Sequence, residues 1–215
     1  MSYGEGLLKL NPCGAPLILT LLNGFGTPSD DMRVLDAGCG RGTTLKYLSK
    51  NSRFVLTGLE SDETYAATAG ENADVDVVAG DICSMPFEVE SFDAVIMECV
   101  FSLLSEPQTA AAETARVMKK GGVLILSDMI SRNRTCGELR QNELIKRLYT
   151  MQEITRFFED SGFYLIYYED RTRDLQRMLA QMILDGRACS CFSENDSETL
   201  RRCRAGYGLF VLEKI

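Results

Sequence analysis

The sequence predicts an α/β fold with a doubly wound, mostly parallel sheet, and three observations support this prediction. Short apolar runs alternate with amphipathic stretches along the 215 residues. Two runs, FDAVIM at 92–97 and VLILS at 123–127, are continuously apolar, as parallel strands covered on both faces are. The chain is also 45% apolar and 25% charged, the balance of a globular protein. At this length it can bury about 70% of its unfolded surface.

The individual elements follow from these runs and from the turn residues that flank them. The predicted strands are 33–36, 54–59, 75–79, 92–97, 123–127, 163–168 and 207–212. The predicted helices are 42–49, 62–70, 107–118, 150–161 and 172–185. Pro107 near the start of one helix, and Gly121 and Gly162 beyond the ends of two, are typical boundary residues. We expect right-handed crossovers between the parallel strands.

The composition excludes several classes of protein. The chain has eight cysteines but no histidine, so it cannot form a Ser-His-Asp triad, a Cys-His dyad or an HExxH zinc site. With 31 acidic and 23 basic residues the net charge is -8, and we expect no binding to nucleic acid. Neither a signal peptide nor a membrane-spanning run is evident, so we expect a cytoplasmic protein with reduced cysteines and no membrane partner.

A glycine-rich loop, DAGCGRG at 36–42, follows the first predicted strand. Gly38, Gly40 and Gly42 let the backbone turn sharply and approach a ligand closely, and the following helix points free N–H groups at that ligand. Glu60 lies about 20 positions further on, at the end of the second strand, where a carboxylate can accept hydrogen bonds from ribose hydroxyls. The loop and the acid together predict a nucleoside-containing ligand.

Two details of this loop favour one type of ligand. A dinucleotide fingerprint requires a third small residue for close helix packing, and here Thr43 takes that place. Asp36 puts a carboxylate where a pyrophosphate would have to lie. The pattern therefore favours a cationic adenosyl sulfonium over NAD or ATP.

At this point the residues resemble a known family, the class I S-adenosylmethionine-dependent methyltransferases. The matching segments are VLDAGCGRG, TGLE, AGDICSMPF, FDAVIMEC and VMKKGGVLILSD, which lie within residues 30–130. The resemblance implies a Rossmann-like, mostly parallel seven-stranded sheet with an antiparallel C-terminal strand. It also implies a single domain over 1–215, with an N-terminal cap at 1–30, a cofactor-binding core at 31–130 and a substrate-side part at 131–215.

The resemblance further implies S-adenosylmethionine as the cofactor and a set of residues that bind it. Asp36 and the glycine loop would hold the methionine end, Glu60 the ribose, and Asp81 with Ile82 the adenine ring. The full set is Asp36, Gly38, Cys39, Gly40, Glu60, Ser61, Asp81, Ile82 and Glu98.

The acceptor is expected beside this cofactor. In an open parallel sheet the ligand lies at the carboxyl ends of the strands, where the strand order reverses. We therefore expect Glu98, Cys99 and Asp128 to line the pocket of a small-molecule acceptor and to include the catalytic groups. Since the cofactor is already activated, the protein mainly aligns an in-line attack. An oxygen or nitrogen acceptor also needs a base, and without histidine this is Glu98, Asp128, a tyrosine or a thiolate.

The cysteines leave an alternative open. The stretch ECVFSLL followed by ARVMKKGGVLILSD resembles arsenite methyltransferases. That resemblance implies a thiophilic metalloid acceptor bound by Cys99 and Cys136, with Cys13 as a third ligand. The competing interpretation is that these are small buried apolar residues. The sequence leaves the C-terminal cysteines, Cys189, Cys191 and Cys203, without a role.

Two other functions also stay open. A non-catalytic module that binds S-adenosylmethionine or a metal is compatible with the absence of an obvious base. A nicotinamide-dependent oxidoreductase is disfavoured by Asp36 and Thr43. The oligomeric state is not predicted.

Overall fold

One continuous sheet organises the chain in a computed structural model, which describes residues 12–26, 29, 31–133, 145–185 and 194–215. Within these residues the strands are β1 Arg33–Ala37, β2 Val55–Glu60, β3 Asp76–Ala79, β4 Phe92–Glu98, β5 Met118–Ser131, β6 Tyr149–Thr150, β7 Phe163–Asp170 and β8 Gly206–Lys214. The helices are α1 Ala15–Phe25, α2 Thr43–Asn51, α3 Glu63–Ala73, α4 Pro107–Val117, α5 Met151–Glu159, α6 Thr172–Leu184 and α7 Glu194–Arg202. A short 3-10 helix lies at Phe101–Leu103.

The strand order is β3-β2-β1-β4-β5-β8-β7, with β6 beside β5. Strands β1 to β5 pair in parallel, whereas β8 runs antiparallel to both of its neighbours, β5 and β7. This confirms the predicted mostly parallel sheet with an antiparallel C-terminal strand. The structure adds β6, whose two residues are too few to show a periodic pattern. The strand order reverses between β1 and β4.

Helices cover both faces of the sheet and create two apolar layers. Ile18 of α1 and Leu45 of α2 pack in one layer, and Phe158 of α5 packs in the other. Successive strand residues point to opposite faces, so a strand covered on both sides must be apolar throughout. Val95 and Ile96 of β4 illustrate this, since both are fully buried but lie in different layers.

The predicted boundaries hold closely except at three places. Residues 15–25, within the predicted cap, form α1, whose Ile18 and Leu22 are fully buried in the core. Strand β5 starts at Met118 rather than at 123, with Gly121 at φ +72° inside the MKKGG segment. The polar helix α7 was not predicted. No helix in the described part of the chain has both the length and the apolar character needed to cross a membrane.

Candidate functional site

A cavity of about 1200 Å³ opens at the carboxyl ends of β1, β2, β4 and β5. It lies where the strand order reverses, which is the position at which open parallel sheets bind ligands. All nine residues predicted to bind the cofactor line this cavity, and so do Cys99 and Asp128. The sheet thus brings the predicted site residues to one edge.

The glycine loop is held against β2 by its backbone. The N–H groups of Gly38 and Cys39 both donate to the carbonyl oxygen of Leu59, at 2.7 and 3.1 Å. Gly38 has φ +81°, and a Cβ at this position would lie 2.4 Å from a methyl carbon of Val100. Glycine is therefore required here both by the backbone conformation and by the close approach of the segment after β4.

Glu60 connects this loop to the start of α3. Its Oε2 accepts the N–H of Gly40 at 2.9 Å, and its Oε1 accepts the N–H of Asp62 at 3.0 Å and the hydroxyl of Ser61 at 3.3 Å. Asp62 in turn caps α3 by accepting the N–H of Tyr65. A carboxylate offers about four acceptor positions, so Glu60 can still accept from a ligand hydroxyl.

Two further carboxylates lie beside Glu60 in the cavity. Asp36 is 2% exposed, and burial, then the charges of Glu98 and Glu60, raise the pKa of its carboxyl well above the usual range. Glu98 accepts the hydroxyl of Thr44 at 2.5 Å. Three acidic side chains from β1, β2 and β4 thus lie close together, and a cationic ligand would favour the ionised form of Asp36.

The turn after β3 forms another wall of the cavity. Asp81 accepts the N–H of Cys83 with its side chain at 2.8 Å and the N–H of Ser84 with its carbonyl at 3.0 Å. These bonds fix the turn and hold Ile82, which is 7% exposed, against the cavity. The apolar side chain can pack on an aromatic base, and the carboxylate beside it can accept a hydrogen bond from the amino group of that base.

Cys99 lies in a hydrogen-bonded cluster on the other side of the cavity. Its Sγ is 3.1 Å from Tyr207 Oη, and that hydroxyl donates to Ser127 Oγ at 3.0 Å. Cys13 lies close to Ser127 in the same cluster. Burial raises the pKa of Cys13 to about 12 and that of Cys99 well above its usual value, so both are neutral thiols near pH 7. Cys99 has φ +56°, a conformation that costs a non-glycine residue energy and is common at functional sites.

Asp128 is buried at the end of β5 and holds the neighbouring segment in place. Its Oδ2 accepts the N–H of Ser102 at 2.8 Å, and its Oδ1 accepts the N–H of Met129 at 2.6 Å. The first bond ties the 3-10 helix Phe101–Leu103 to β5. Burial nevertheless raises the pKa of the Asp128 carboxyl to about 6, a value suited to a base near neutral pH.

The raised pKa of Asp128 predicts a pH-dependent stability. The pKa of Asp128 in the folded protein lies above the unfolded value of 3.8, so between these two values the folded state binds more protons than the unfolded state. Stability therefore falls as the pH rises through about 6. Asp128→Asn removes this titration. Between about pH 4 and about pH 7 the wild type should therefore lose about 3 kcal/mol of unfolding free energy relative to the variant. Urea unfolding of both proteins across this range measures the difference, and a pH-independent difference would contradict the shifted pKa.

The cysteine predictions can be followed only in part. Cys136, Cys189 and Cys191 lie outside the described residues. Cys203 is buried and disulfide-bonded, so the expectation of reduced cysteines is wrong at this position. The free thiols among the described residues are Cys13, Cys39, Cys83 and Cys99. In the described ranges no three His, Cys, Asp or Glu side chains are grouped so as to hold a metal ion.

Several cavity residues were not predicted from the sequence. They are Gly14 and Ala15 at the start of α1, Thr44 of α2, Ser102, Lys146, Leu175 of α6 and Tyr207 of β8. All seven lie outside the matching segments, and a tyrosine or leucine in an ordinary apolar run carries no local sign of a site. Thr44 was within reach of prediction, since it lies only two residues beyond the glycine loop.

Comparison with known proteins relates part of the chain to methyltransferases. A model of the methyltransferase domain matches residues 35–126. An uncharacterized protein of Haemophilus influenzae is 29% identical over 172 residues, covering 74% of this chain and 68% of that protein. A sterol 24-C-methyltransferase of Gibberella zeae is also 29% identical, covering 66% of this chain and 42% of that protein. The chain thus spans less than half the length of the sterol enzyme.

The fold comparison agrees with the sequence comparison. The crystal structure of geranyl diphosphate C-methyltransferase from Streptomyces coelicolor, in complex with Mg²⁺, geranyl diphosphate and S-adenosyl-L-homocysteine, aligns with a TM-score of 0.75. The alignment covers 98% of this chain and 84% of that one at 16% identity, so it shows the shared fold. The domain match over residues 35–126 and the shared fold together support a methyltransferase that uses S-adenosylmethionine as its cofactor.

Proposed function

We propose that the chain transfers a methyl group from S-adenosylmethionine to a small-molecule acceptor by direct displacement. The observation that supports this most directly is the cavity at the carboxyl edge of the sheet. It contains every residue predicted to bind the cofactor and extends to Cys99, Asp128 and Tyr207. A single cavity that includes both sets can hold a cofactor and an acceptor in contact, as an in-line transfer requires.

In this proposal the cofactor residues act in three groups. Asp36, Gly38, Cys39 and Gly40 hold the methionine end, with Glu98 beside them. Glu60 and Ser61 bind the ribose hydroxyls, and Asp81 with Ile82 contacts the adenine ring. The fit is supported by the free acceptor capacity of Glu60 and by the negative charge around Asp36. The core at 31–130 would thus bind the cofactor, while 1–30 and 131–215 contribute to the acceptor side.

When bound, S-adenosylmethionine supplies an activated methyl group on a sulfonium. The protein's own contribution is to orient the acceptor and to receive a proton from it where the acceptor atom is oxygen or nitrogen. Asp128 and Glu98 are the carboxylates at this end of the cavity, and the pKa of Asp128 near 6 leaves it ionised at neutral pH. Tyr207 and Cys99 are neutral and provide hydrogen bonds rather than charge.

Calorimetry with S-adenosylmethionine tests cofactor binding, and labelled cofactor tests transfer. We expect saturable binding, followed by movement of the labelled methyl group into a small molecule of a cell extract. No binding at millimolar cofactor would overturn the proposal. Binding without transfer to any acceptor would favour the non-catalytic module, and thermal protection by a nicotinamide cofactor alone would favour the oxidoreductase.

A second candidate is a thiophilic metalloid acceptor such as arsenite. It is favoured by one observation, that the thiols of Cys13 and Cys99 both lie near Ser127 and Tyr207. Two convergent thiols suit a soft ion.

For this candidate, Cys99→Ser and Cys136→Ser should each abolish arsenite-dependent consumption of S-adenosylmethionine. A serine oxygen is a much poorer ligand than sulfur for a soft ion. Cofactor affinity, measured by calorimetry, should stay unchanged in both variants, which separates loss of the acceptor from loss of the cofactor. If both variants consume the cofactor normally with arsenite, the thiols only pack.

A further inference from the structure

Asp36 is a buried carboxylate that faces the cavity without a partner. It is 2% exposed and lines the cavity at the end of β1. Among the described residues, no group donates a hydrogen bond to its side chain and no lysine or arginine pairs with it. A buried carboxylate is normally satisfied by such donors, and leaving it ionised without them is costly.

The charged groups around Asp36 make this cost larger. Glu60 on β2 and Glu98 on β4 flank it, and both raise the pKa of its carboxyl further after burial. Cys39 in the glycine loop is a neutral thiol, since burial and then the charges of Asp36 and Glu60 raise its pKa. The groups around Asp36 are therefore two acids and a neutral thiol, and none of the three carries a positive charge.

Two cations near the cavity make other contacts, and no cation is among the groups that shift the pKa of Asp36. The guanidinium of Arg41 lies over the ring of Tyr65, 5.0 Å from its centroid. The ammonium group of Lys146 donates a hydrogen bond to Ser105 Oγ at 3.1 Å, beside the 3-10 helix. Since no cation of the described residues pairs with Asp36, its carboxylate can be neutralised only by a proton or by a positively charged ligand.

We infer that Asp36, flanked by Glu60 and Glu98, distinguishes S-adenosylmethionine from the product S-adenosylhomocysteine by charge. Asp36 holds a proton in the empty cavity and releases it when the sulfonium binds. This inference rests on the proposed function. The cofactor carries a sulfonium that the product lacks, whereas the amino and carboxyl groups of the methionine part are common to both. After transfer, Asp36 takes a proton back from solvent. The uncharged sulfur of the product is then not stabilised by a negative charge on Asp36.

The direction of the pH effect follows from proton linkage. A nearby cation favours the ionised carboxylate, so cofactor binding and proton release promote each other. As the pH rises through the range in which Asp36 ionises, the affinity for S-adenosylmethionine rises. The affinity for S-adenosylhomocysteine changes less, because its sulfur is uncharged. The ratio of the two affinities therefore increases with pH.

Calorimetry on the wild-type protein in buffers of different ionisation enthalpy tests this without any substitution. We expect S-adenosylmethionine to release about one more proton than S-adenosylhomocysteine, with an affinity ratio that rises about tenfold over the range. Equal proton release by the two ligands, together with a ratio independent of pH, would overturn the inference. No binding of either ligand would instead overturn the proposed function, so the two failures are distinguishable.

Substitutions then assign the effect to Asp36. In Asp36→Asn the excess proton release should disappear, and the affinity ratio should fall about tenfold and become independent of pH. In Glu98→Gln the midpoint of the pH dependence should move to lower pH, because a charge that opposes ionisation is gone. Asp76→Asn, an exposed carboxylate on β3, is the matched control and should behave as the wild type.

Asp128 provides the contrast within the cavity. Its pKa near 6 makes it the other carboxyl able to exchange a proton on ligand binding. If Asp128→Asn, rather than Asp36→Asn, removes the excess proton release, the assignment to Asp36 is wrong. Should Asp36→Asn fail to fold, the wild-type measurement and Glu98→Gln still decide the question.

Discussion

Replacement of Gly38 by alanine should reduce the affinity for S-adenosylmethionine about a hundredfold, which corresponds to roughly 3 kcal/mol. Two effects add at this position. A non-glycine residue at φ +81° costs about 1–2 kcal/mol, and a Cβ 2.4 Å from Val100 adds an overpacking cost of about 1–3 kcal/mol. The loop can relieve both only by moving away from Val100, and Val100 itself lines the cavity. Calorimetric titration of the variant measures the loss.

Gly121→Ala is the matched control for this variant. Gly121 has φ +72°, but nothing lies within 4 Å of an added Cβ, and it is not among the residues that line the cavity. The control therefore shares the backbone cost of about 1–2 kcal/mol without the clash. We expect it to lower the melting temperature and to leave cofactor affinity unchanged. Equal loss of affinity in both variants would show that general destabilisation, rather than the loop geometry, is responsible.

Glu60→Ala should also weaken S-adenosylmethionine binding by at least about a hundredfold. The substitution removes the acceptor of the Gly40 and Asp62 N–H groups, which are bonded at 2.9 and 3.0 Å. Hydrogen bonds to a charged group contribute about 1.5–3 kcal/mol each, and the acceptor for the ribose hydroxyls is lost as well. The loop and the start of α3 would then no longer be fixed to each other. The measurement is again calorimetric titration with the cofactor.

Two further variants separate the contributions at this position. Glu63→Ala removes an exposed carboxylate from the first turn of α3 and should bind the cofactor normally. Glu60→Gln keeps one acceptor oxygen but directs an NH₂ group at an N–H donor, so its affinity should lie between those of the wild type and Glu60→Ala. If Glu60→Ala binds as tightly as Glu63→Ala, Glu60 does not contact the ribose.

Most of the fold could be predicted from the sequence because it is built from local units. The boundary of β4 agrees to one residue, since an apolar run between polar turn residues defines a strand covered on both faces. Helix α1 was not predicted, because a nearly continuous apolar run indicates a buried strand as readily as a buried helix. Its run LILTLL at 17–22 contains only one polar residue, Thr20, so it shows little of the contrast between faces that marks a helix.

The cofactor half and the acceptor half of the candidate site differ in how far the sequence predicts them. The cofactor half consists of residues at the ends of consecutive parallel strands, such as Asp36, Glu60 and Asp81. Parallel pairing brings these ends to one edge without any further information. The role of Asp128 was only partly predictable. Its position at the end of a strand is visible in the sequence, but its bonds to Ser102 and Met129 and its burial are not.

The sequence by itself thus determined the fold class, the family resemblance and the residues expected around the cofactor, because these depend on patterns within short segments. Only the tertiary structure decided the composition of the acceptor side. Tyr207 lies 108 residues from Cys99 and reaches it because β8 pairs antiparallel with β5, placing Tyr207 opposite Met129. Such a pairing is selected by burial of both strands in a common core, and it leaves no local pattern that marks its residues as part of a site.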